Sequence, residues 1–94
     1  MTVWILTIVP CDDEIEQYIF ETYEEAEEKF FAFLGRFVHD FVLIDNNPEG
    51  LAECLANTRY EFDGITKRMT YACVWDTDIY IKECKVQKGA YISG

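Results

Sequence analysis

Residues 22–38, TYEEAEEKFFAFLGRFV, form the longest part of the chain with one dominant interpretation, an amphipathic helix. At about 100° per residue, one stripe collects the aromatic and aliphatic side chains, which are Tyr23, Ala26, Phe30, Phe33, Leu34 and Phe37. Thr22 followed three residues later by Glu25 is a capping box, which predicts that the helix begins here. The core of a 94-residue chain has to be built on this stripe.

Phe31 and Val38 lie beside the stripe and widen the apolar face beyond what one sheet covers. A second element of the chain or a partner is therefore expected to pack there. A short helix predicted at residues 48–57, opened by Asn47 and Pro48, is the candidate within the chain. Phe31 and Val38 are otherwise a predicted interface.

The remaining segments predict an antiparallel sheet. Five runs have strand character: residues 2–9, 15–20, 59–62, 65–75 and 79–86. Asp63–Gly64 predicts a tight hairpin turn, and 76–78 a second turn. Residues 40–45 fit either a short buried strand or a continuation of the long helix, because periodicity alone does not decide.

The element order ββα(α)βββ predicts an α+β fold. Its antiparallel sheet has about five strands, with one long and one short helix packed on one face. Residues 2–9 are apolar on both sides, which places this strand in the middle of the sheet. The chain is expected to form one domain, residues 1–94, with 89–94 as a loosely held tail.

Charge is distributed unevenly along the chain. The sequence has 18 acidic and 8 basic residues, a net charge of −10, yet residues 1–28 contain no Lys or Arg. Nine acids fall in that segment: Asp12, Asp13, Glu14, Glu16, Glu21, Glu24, Glu25, Glu27 and Glu28. A one-sided negative field repels nucleic acid and lipid headgroups and attracts basic surfaces. The sequence therefore predicts a basic protein partner, with no direct binding to nucleic acid or membrane.

The predicted partner-binding residues are the acids of the hairpin tip and of the polar helix face: Asp12, Asp13, Glu14, Glu16, Glu24, Glu25 and Glu28. They are expected to form one anionic surface. Acids also cap helices, decorate turns and keep small proteins soluble, and this alternative stays open.

The chain carries no catalytic signature. It lacks a Gly-rich phosphate loop, a nucleophile elbow and a zinc-protease helix motif. Its one histidine, His39, is interpreted as a dipole partner at the end of the long helix. Structural thiols are favoured over a zinc site for the four scattered cysteines, Cys11, Cys54, Cys73 and Cys84. We expect a non-enzymatic protein without cofactor, metal or catalytic residues.

The apolar residues after Met1 have no basic leader, and no stretch reaches the ~18 apolar residues of a membrane span. The expected location is the cytoplasm.

The strand–acidic turn–strand pattern followed by Phe20-x-Thr22-x-x-Glu25-Ala26 resembles small proteins of phages and mobile elements. Together with size and acidity, it resembles the anti-CRISPR and DNA-mimic anti-restriction class. The resemblance covers the first third of the chain and assigns no individual functional residues. It implies a phage-encoded inhibitor that blocks a nucleic-acid-binding or subunit surface of a host defence nuclease complex.

Two alternatives remain on sequence grounds. One is an immunity or antitoxin-type inhibitor of a toxin, which is also small and acidic. The other is a structural, homo-oligomeric subunit that uses Phe31, Val38 and the aromatic strands as its interface. The sequence leaves open whether the chain is a monomer or a homodimer.

Overall fold

The computed structural model describes residues 1–86. Five strands form one antiparallel sheet: β1 Thr2–Val9, β2 Glu16–Phe20, β3 Arg59–Phe62, β4 Met69–Val74 and β5 Thr77–Lys85. Helix α1, Tyr23–His39, and helix α2, Pro48–Ala56, lie between β2 and β3 along the chain. The predicted α+β fold and its order ββα(α)βββ are confirmed. The tail predicted at 89–94 lies outside the described residues.

The strand order in the sheet is β2-β1-β5-β4-β3. The central strand is therefore β5, and the prediction that residues 2–9 occupy the middle is wrong. The pairing of β5 with β1 is long and antiparallel, from Thr2↔Lys85 to Val9↔Asp78, and it inserts β5 between β1 and β4. The side chains on the second face of β1, such as Ile5, are only partly buried.

Strand alternation decides which side chains form the core. Leu6 is opposite Ile81, and Ile8 is opposite Ile79, so these four residues share one face of the sheet. Phe30 of α1 and Cys54 of α2 belong to the same buried cluster. Both helices therefore pack on that face, as predicted. The opposite face carries exposed side chains, including Tyr80 and Lys82 of β5.

Helix α1 begins at the predicted capping box. The Thr22 hydroxyl accepts a hydrogen bond from the Glu25 N–H at 3.2 Å and donates to the Glu25 carboxylate at 3.0 Å. The helix ends at His39, and the chain continues as a π-helix over Asp40–Ile44. Residues 40–44 therefore extend the helix and do not form a strand.

Helix α2 starts where the sequence predicts. The Asn47 side chain accepts a hydrogen bond from the Gly50 N–H at 3.0 Å, and Pro48 occupies the first turn. Cys54 is buried against the core. Neither helix of residues 1–86 combines the length and apolarity needed to cross a membrane.

The two turns of the meander differ from prediction. The chain reverses between β3 and β4 through a loop, residues 63–68, because the Asp63 carboxylate accepts hydrogen bonds from the N–H groups of Ile65 and Thr66 at 2.7 and 2.8 Å. This local turn replaces the tight turn expected at Asp63–Gly64. Between β4 and β5, Trp75 and Asp76 have positive φ and make the turn, so Thr77 already belongs to β5.

We expect Gly35→Ala to raise the free energy of unfolding by about 0.5–1 kcal/mol. Gly35 lies inside α1, and an added Cβ would meet no atom within 4 Å. The matched control is Gly50→Ala, whose Cβ would lie 2.3 Å from the Asn47 amide nitrogen and displace the cap of α2. In urea denaturation, the free energy of unfolding should rise for Gly35→Ala, and it should rise less, or fall, for Gly50→Ala.

Tyr23→Phe should lower the free energy of unfolding by about 1–3 kcal/mol, because it leaves a buried donor without a partner. The Tyr23 hydroxyl accepts a hydrogen bond from the buried Met69 N–H at 2.9 Å and donates to Glu27 at 2.7 Å. Tyr80→Phe is the control, since Tyr80 is 45% exposed. An equal loss in both variants, measured by chemical denaturation, would contradict this role for Tyr23.

The same residue predicts a pH dependence. Burial, the largest cause, raises the pKa of Tyr23 above its ordinary 10.0. The stability that this group contributes is complete below its unfolded pKa and is lost as the pH rises through the higher folded pKa. Tyr23→Phe should therefore lose less stability than the parent chain in alkaline denaturation.

Candidate functional site: an acidic face at β2 and α1

The first group of predicted site residues lies at the tip of the β1–β2 hairpin. We call Asp12, Asp13, Glu14 and Glu16 the tip group; all four are exposed. The Asp13 carboxylate accepts a hydrogen bond from the Glu14 N–H at 2.8 Å, and Glu16 accepts one from the Tyr18 hydroxyl at 3.1 Å. These are local contacts that leave the carboxylates open to solvent.

The second group lies at the start of α1. We call Glu24, Glu25 and Glu28 the helix group; all three are exposed. Glu24 and Glu25 occupy the first turn, where negative charge complements the helix dipole. Glu25 additionally takes part in the capping box, so it has a structural role as well as a predicted binding role.

The two groups lie at opposite ends of one side of the molecule. Glu25 and Glu28 border a shallow depression with Phe20 at the end of β2, whereas three members of the tip group border a depression with Phe33 and Arg36 of α1. These three are Asp13, Glu14 and Glu16. Helix α1 thus runs back along β2. Glu25 and Arg36 are about 16 Å apart along the helix axis.

One cation lies beside each acidic group: Lys29 borders the same depression as Glu25 and Glu28, and Arg36 the same depression as the tip. The Lys29 ammonium lies 4.5 Å from the centre of the Tyr18 ring, a cation–π contact at the middle of β2. Arg36 follows two helical turns later, beside the tip group. The predicted anionic surface therefore consists of two separate acidic groups, and each of them has one cation beside it.

The acids of the N-terminal segment form no ion pair with any base among residues 1–86. The one close contact between a basic and an acidic side chain in this part of the chain joins His39 Nδ1 and Asp40 Oδ1 at 3.5 Å, and both side chains are exposed. Lys29 and Arg36 approach the acids without direct contact. The tip and helix groups therefore form no ion pair with a Lys or Arg of the described residues, although Arg36 and Lys29 lie beside them.

Phe31 and Val38 are 57% and 41% exposed. The expectation that α2 covers them is wrong, because α2 buries Cys54 against the core and leaves this flank of α1 open. Tyr60 and Phe62 of β3, on the same face of the sheet, are 44% and 59% exposed. Ring contacts through the buried Phe30 connect Phe31 of α1 to Tyr60 and Phe62 of β3.

The thiols do not converge. Cys54 is buried, Cys73 and Cys84 are partly buried, and Cys11 is exposed; all are free. Burial raises the pKa of the Cys54 thiol. Within residues 1–86 no three His, Cys, Asp or Glu side chains come close enough to hold a metal ion. His39, predicted to follow the long helix, is the last residue of α1, and helical backbone continues beyond it through Asp40–Ile44.

A cleft of about 620 Å³ was not anticipated from the sequence. It opens where β4 diverges from β5, since their pairing stops at Tyr71↔Tyr80. Trp4, Met69 and Ile81 line it. The Arg68 guanidinium beside it lies 5.0 Å from the Trp4 ring and 5.2 Å from the Tyr23 ring. The sequence predicts one continuous strand over residues 65–75, and no residue pattern indicates that β4 diverges from β5 there.

Charge reversal should distinguish the acids that support the fold from those that do not. Asp12→Lys combined with Asp13→Lys should change the free energy of unfolding by less than about 0.5 kcal/mol, or raise it by relieving repulsion. Thr22→Ala, which removes the cap that pairs with Glu25, should lower it by about 1 kcal/mol. Thermal and urea denaturation measure both. A larger loss in the tip variant than in Thr22→Ala would mean that the tip acids are structural.

Comparison of the chain with protein-family models, with curated proteins and with solved structures finds no match. The exposed acids, which form no ion pair with a Lys or Arg of residues 1–86, and the exposed apolar side chains are the features from which a function can be inferred.

Proposed function

We propose that this is a non-enzymatic binding protein whose acidic face docks on a basic surface of another protein. The observation that supports the proposal is the segment 1–28, with nine acids, no Lys or Arg, and no ion pair to a base of residues 1–86. Such a concentration of like charge works against the folded state unless a partner offsets it. A Lys- or Arg-rich partner would gain both affinity and a faster encounter from this field.

The arrangement of the acids suggests how such a partner is selected. The tip group and the helix group lie at opposite ends of α1, with Arg36 beside the tip group and Lys29 beside the helix group. A partner with two basic patches at a similar spacing fits this side. A partner with one continuous row of basic residues would be repelled by Lys29 and Arg36. This repulsion contributes specificity.

The narrower proposal is a phage-encoded, anti-CRISPR-like inhibitor of a host defence nuclease complex, acting in the cytoplasm of the host cell. Surfaces that hold nucleic acid are rich in Lys and Arg because they neutralise phosphates. Exposed carboxylates on a small rigid domain can occupy such a surface in place of nucleic acid. The resemblance of the N-terminal third and the net charge of −10 support this version.

The test is affinity capture from a host lysate at low and at high salt. We expect the parent chain to retain a basic protein at low salt and to release it at high salt. Reversing the tip group should weaken binding by at least about tenfold, because four attractive contacts become repulsive. The substitutions are Asp12→Lys, Asp13→Lys, Glu14→Lys and Glu16→Lys.

A matched control reverses four exposed acids outside the N-terminal segment. These are Asp45→Lys, Glu49→Lys, Glu53→Lys and Glu83→Lys, all exposed in the structure. The control makes the same change in net charge but leaves the acids of the N-terminal segment intact. It should therefore retain most of the binding. If both variants bind alike and with the parent salt dependence, the acidic face is not the docking surface.

A further inference from the structure

Strand β3 is an open edge of the sheet. It pairs with β4 alone among the described strands, and all four of its residues are exposed. The Glu61 carbonyl accepts a hydrogen bond from the Thr70 hydroxyl of β4 at 3.3 Å, so it faces β4. Backbone groups alternate in direction along a strand. The N–H and C=O of Tyr60 therefore face away from β4, toward the open edge.

The two edges of the sheet are protected to different degrees. Lysine, proline and inward-pointing charge commonly prevent an edge from pairing with another chain. β3 has neither lysine nor proline, but it is only four residues long and its register with β4 shifts between Glu61 and Phe62. The opposite edge, β2, begins at Glu16 and follows the rest of the tip group, so two β2 edges would repel each other. Within residues 1–86, β3 is therefore the edge at which charge opposes pairing with a second copy less.

The sequence of β3 is complementary to itself. In an antiparallel pair centred on Tyr60, Arg59 of one copy lies opposite Glu61 of the other, and the same pair recurs on the other side of the axis. These are non-hydrogen-bonded positions, where facing side chains are closest and opposite charges attract. A register centred on Glu61 would instead place two like charges opposite each other.

Apolar surface accompanies this edge. Tyr60 and Phe62 of β3 and Phe31 of α1 are 44%, 59% and 57% exposed. Tyr60 and Phe62 alternate onto the face that carries the helices, as shown by the pairing of Tyr60 with buried Ala72. Edge pairing would place Tyr60 opposite Tyr60 of a second copy, with Phe62 as its diagonal neighbour, where aromatic contacts stabilise.

The acidic face does not oppose this contact. β2 and β3 are the two ends of the order β2-β1-β5-β4-β3, about 19 Å apart at the usual strand spacing. The acidic segments of two copies would lie at the outer ends of the joined sheet. Their repulsion is screened, because the Debye length at physiological salt is about 8 Å.

We propose that β3 pairs with β3 of a second copy of this chain, antiparallel and centred on Tyr60, so that two sheets join into one. Arg59 and Glu61 set the register through two reciprocal ion pairs, and the exposed aromatic residues extend the contact. This proposal concerns the edge opposite the acidic face and stands independently of the proposed function.

Sedimentation equilibrium over a range of micromolar concentrations tests it. We expect a monomer–dimer equilibrium in the parent chain. Arg59→Glu and Glu61→Arg should each raise the dissociation constant by about tenfold, since two attractive cross-strand pairs become repulsive. The double variant, Arg59→Glu with Glu61→Arg, restores both pairs in reversed order and should return within about threefold of the parent value.

Lys82→Glu and Glu83→Arg are the matched controls, because they make the same charge changes at exposed positions of the central strand β5. They should leave the equilibrium unchanged. Circular dichroism checks that each variant folds. A concentration-independent monomer, or a double variant no better than either single one, would overturn the proposal, as would equal effects in the controls.

Discussion

The packing of the apolar stripe of α1 on the inner face of the sheet is the contact on which the rest of the structure depends. Phe30 is 1% exposed and shares the core with Leu6, Ile8 and Ile79. This packing fixes α1 along β2 and so decides which polar side chains meet. It brings Lys29 over the Tyr18 ring and Arg36 to the hairpin tip. The division of the acidic side into two patches is thus a consequence of core packing.

The parts of the fold that depend on local signals could be predicted from the sequence. Thr22 and Glu25 define the start of α1, and Asn47 with Pro48 defines the start of α2, because each cap is made within one turn. The central position of β5 could not be predicted, since strand order is decided by contacts between distant segments. The loop that begins at Asp63 was not predicted. It forms because the Asp63 carboxylate accepts hydrogen bonds from two backbone N–H groups.

The candidate site, like the fold, could be predicted only in part from the sequence. The identity of the acids is evident from the sequence, as is the lack of bases among residues 1–28. The position of Lys29 and Arg36, one beside each acidic group, is not evident from the sequence, because it depends on the placement of α1 against β2. The exposure of Phe31 could not be predicted either, because it depends on where α2 packs. α2 buries Cys54 against the core and does not cover Phe31. Composition therefore indicates the kind of partner, while packing determines the shape of the surface offered to it.

The four thiols differ greatly in accessibility. Cys54 is 3% exposed, and burial raises its pKa, so its unreactive protonated form prevails. Cys11 is exposed and immediately precedes Asp12. An alkylating reagent or an oxidant would reach Cys11 first, within one residue of the acidic hairpin tip. The chain thus carries a natural attachment point for a fluorophore that would sense whatever approaches that end of the molecule.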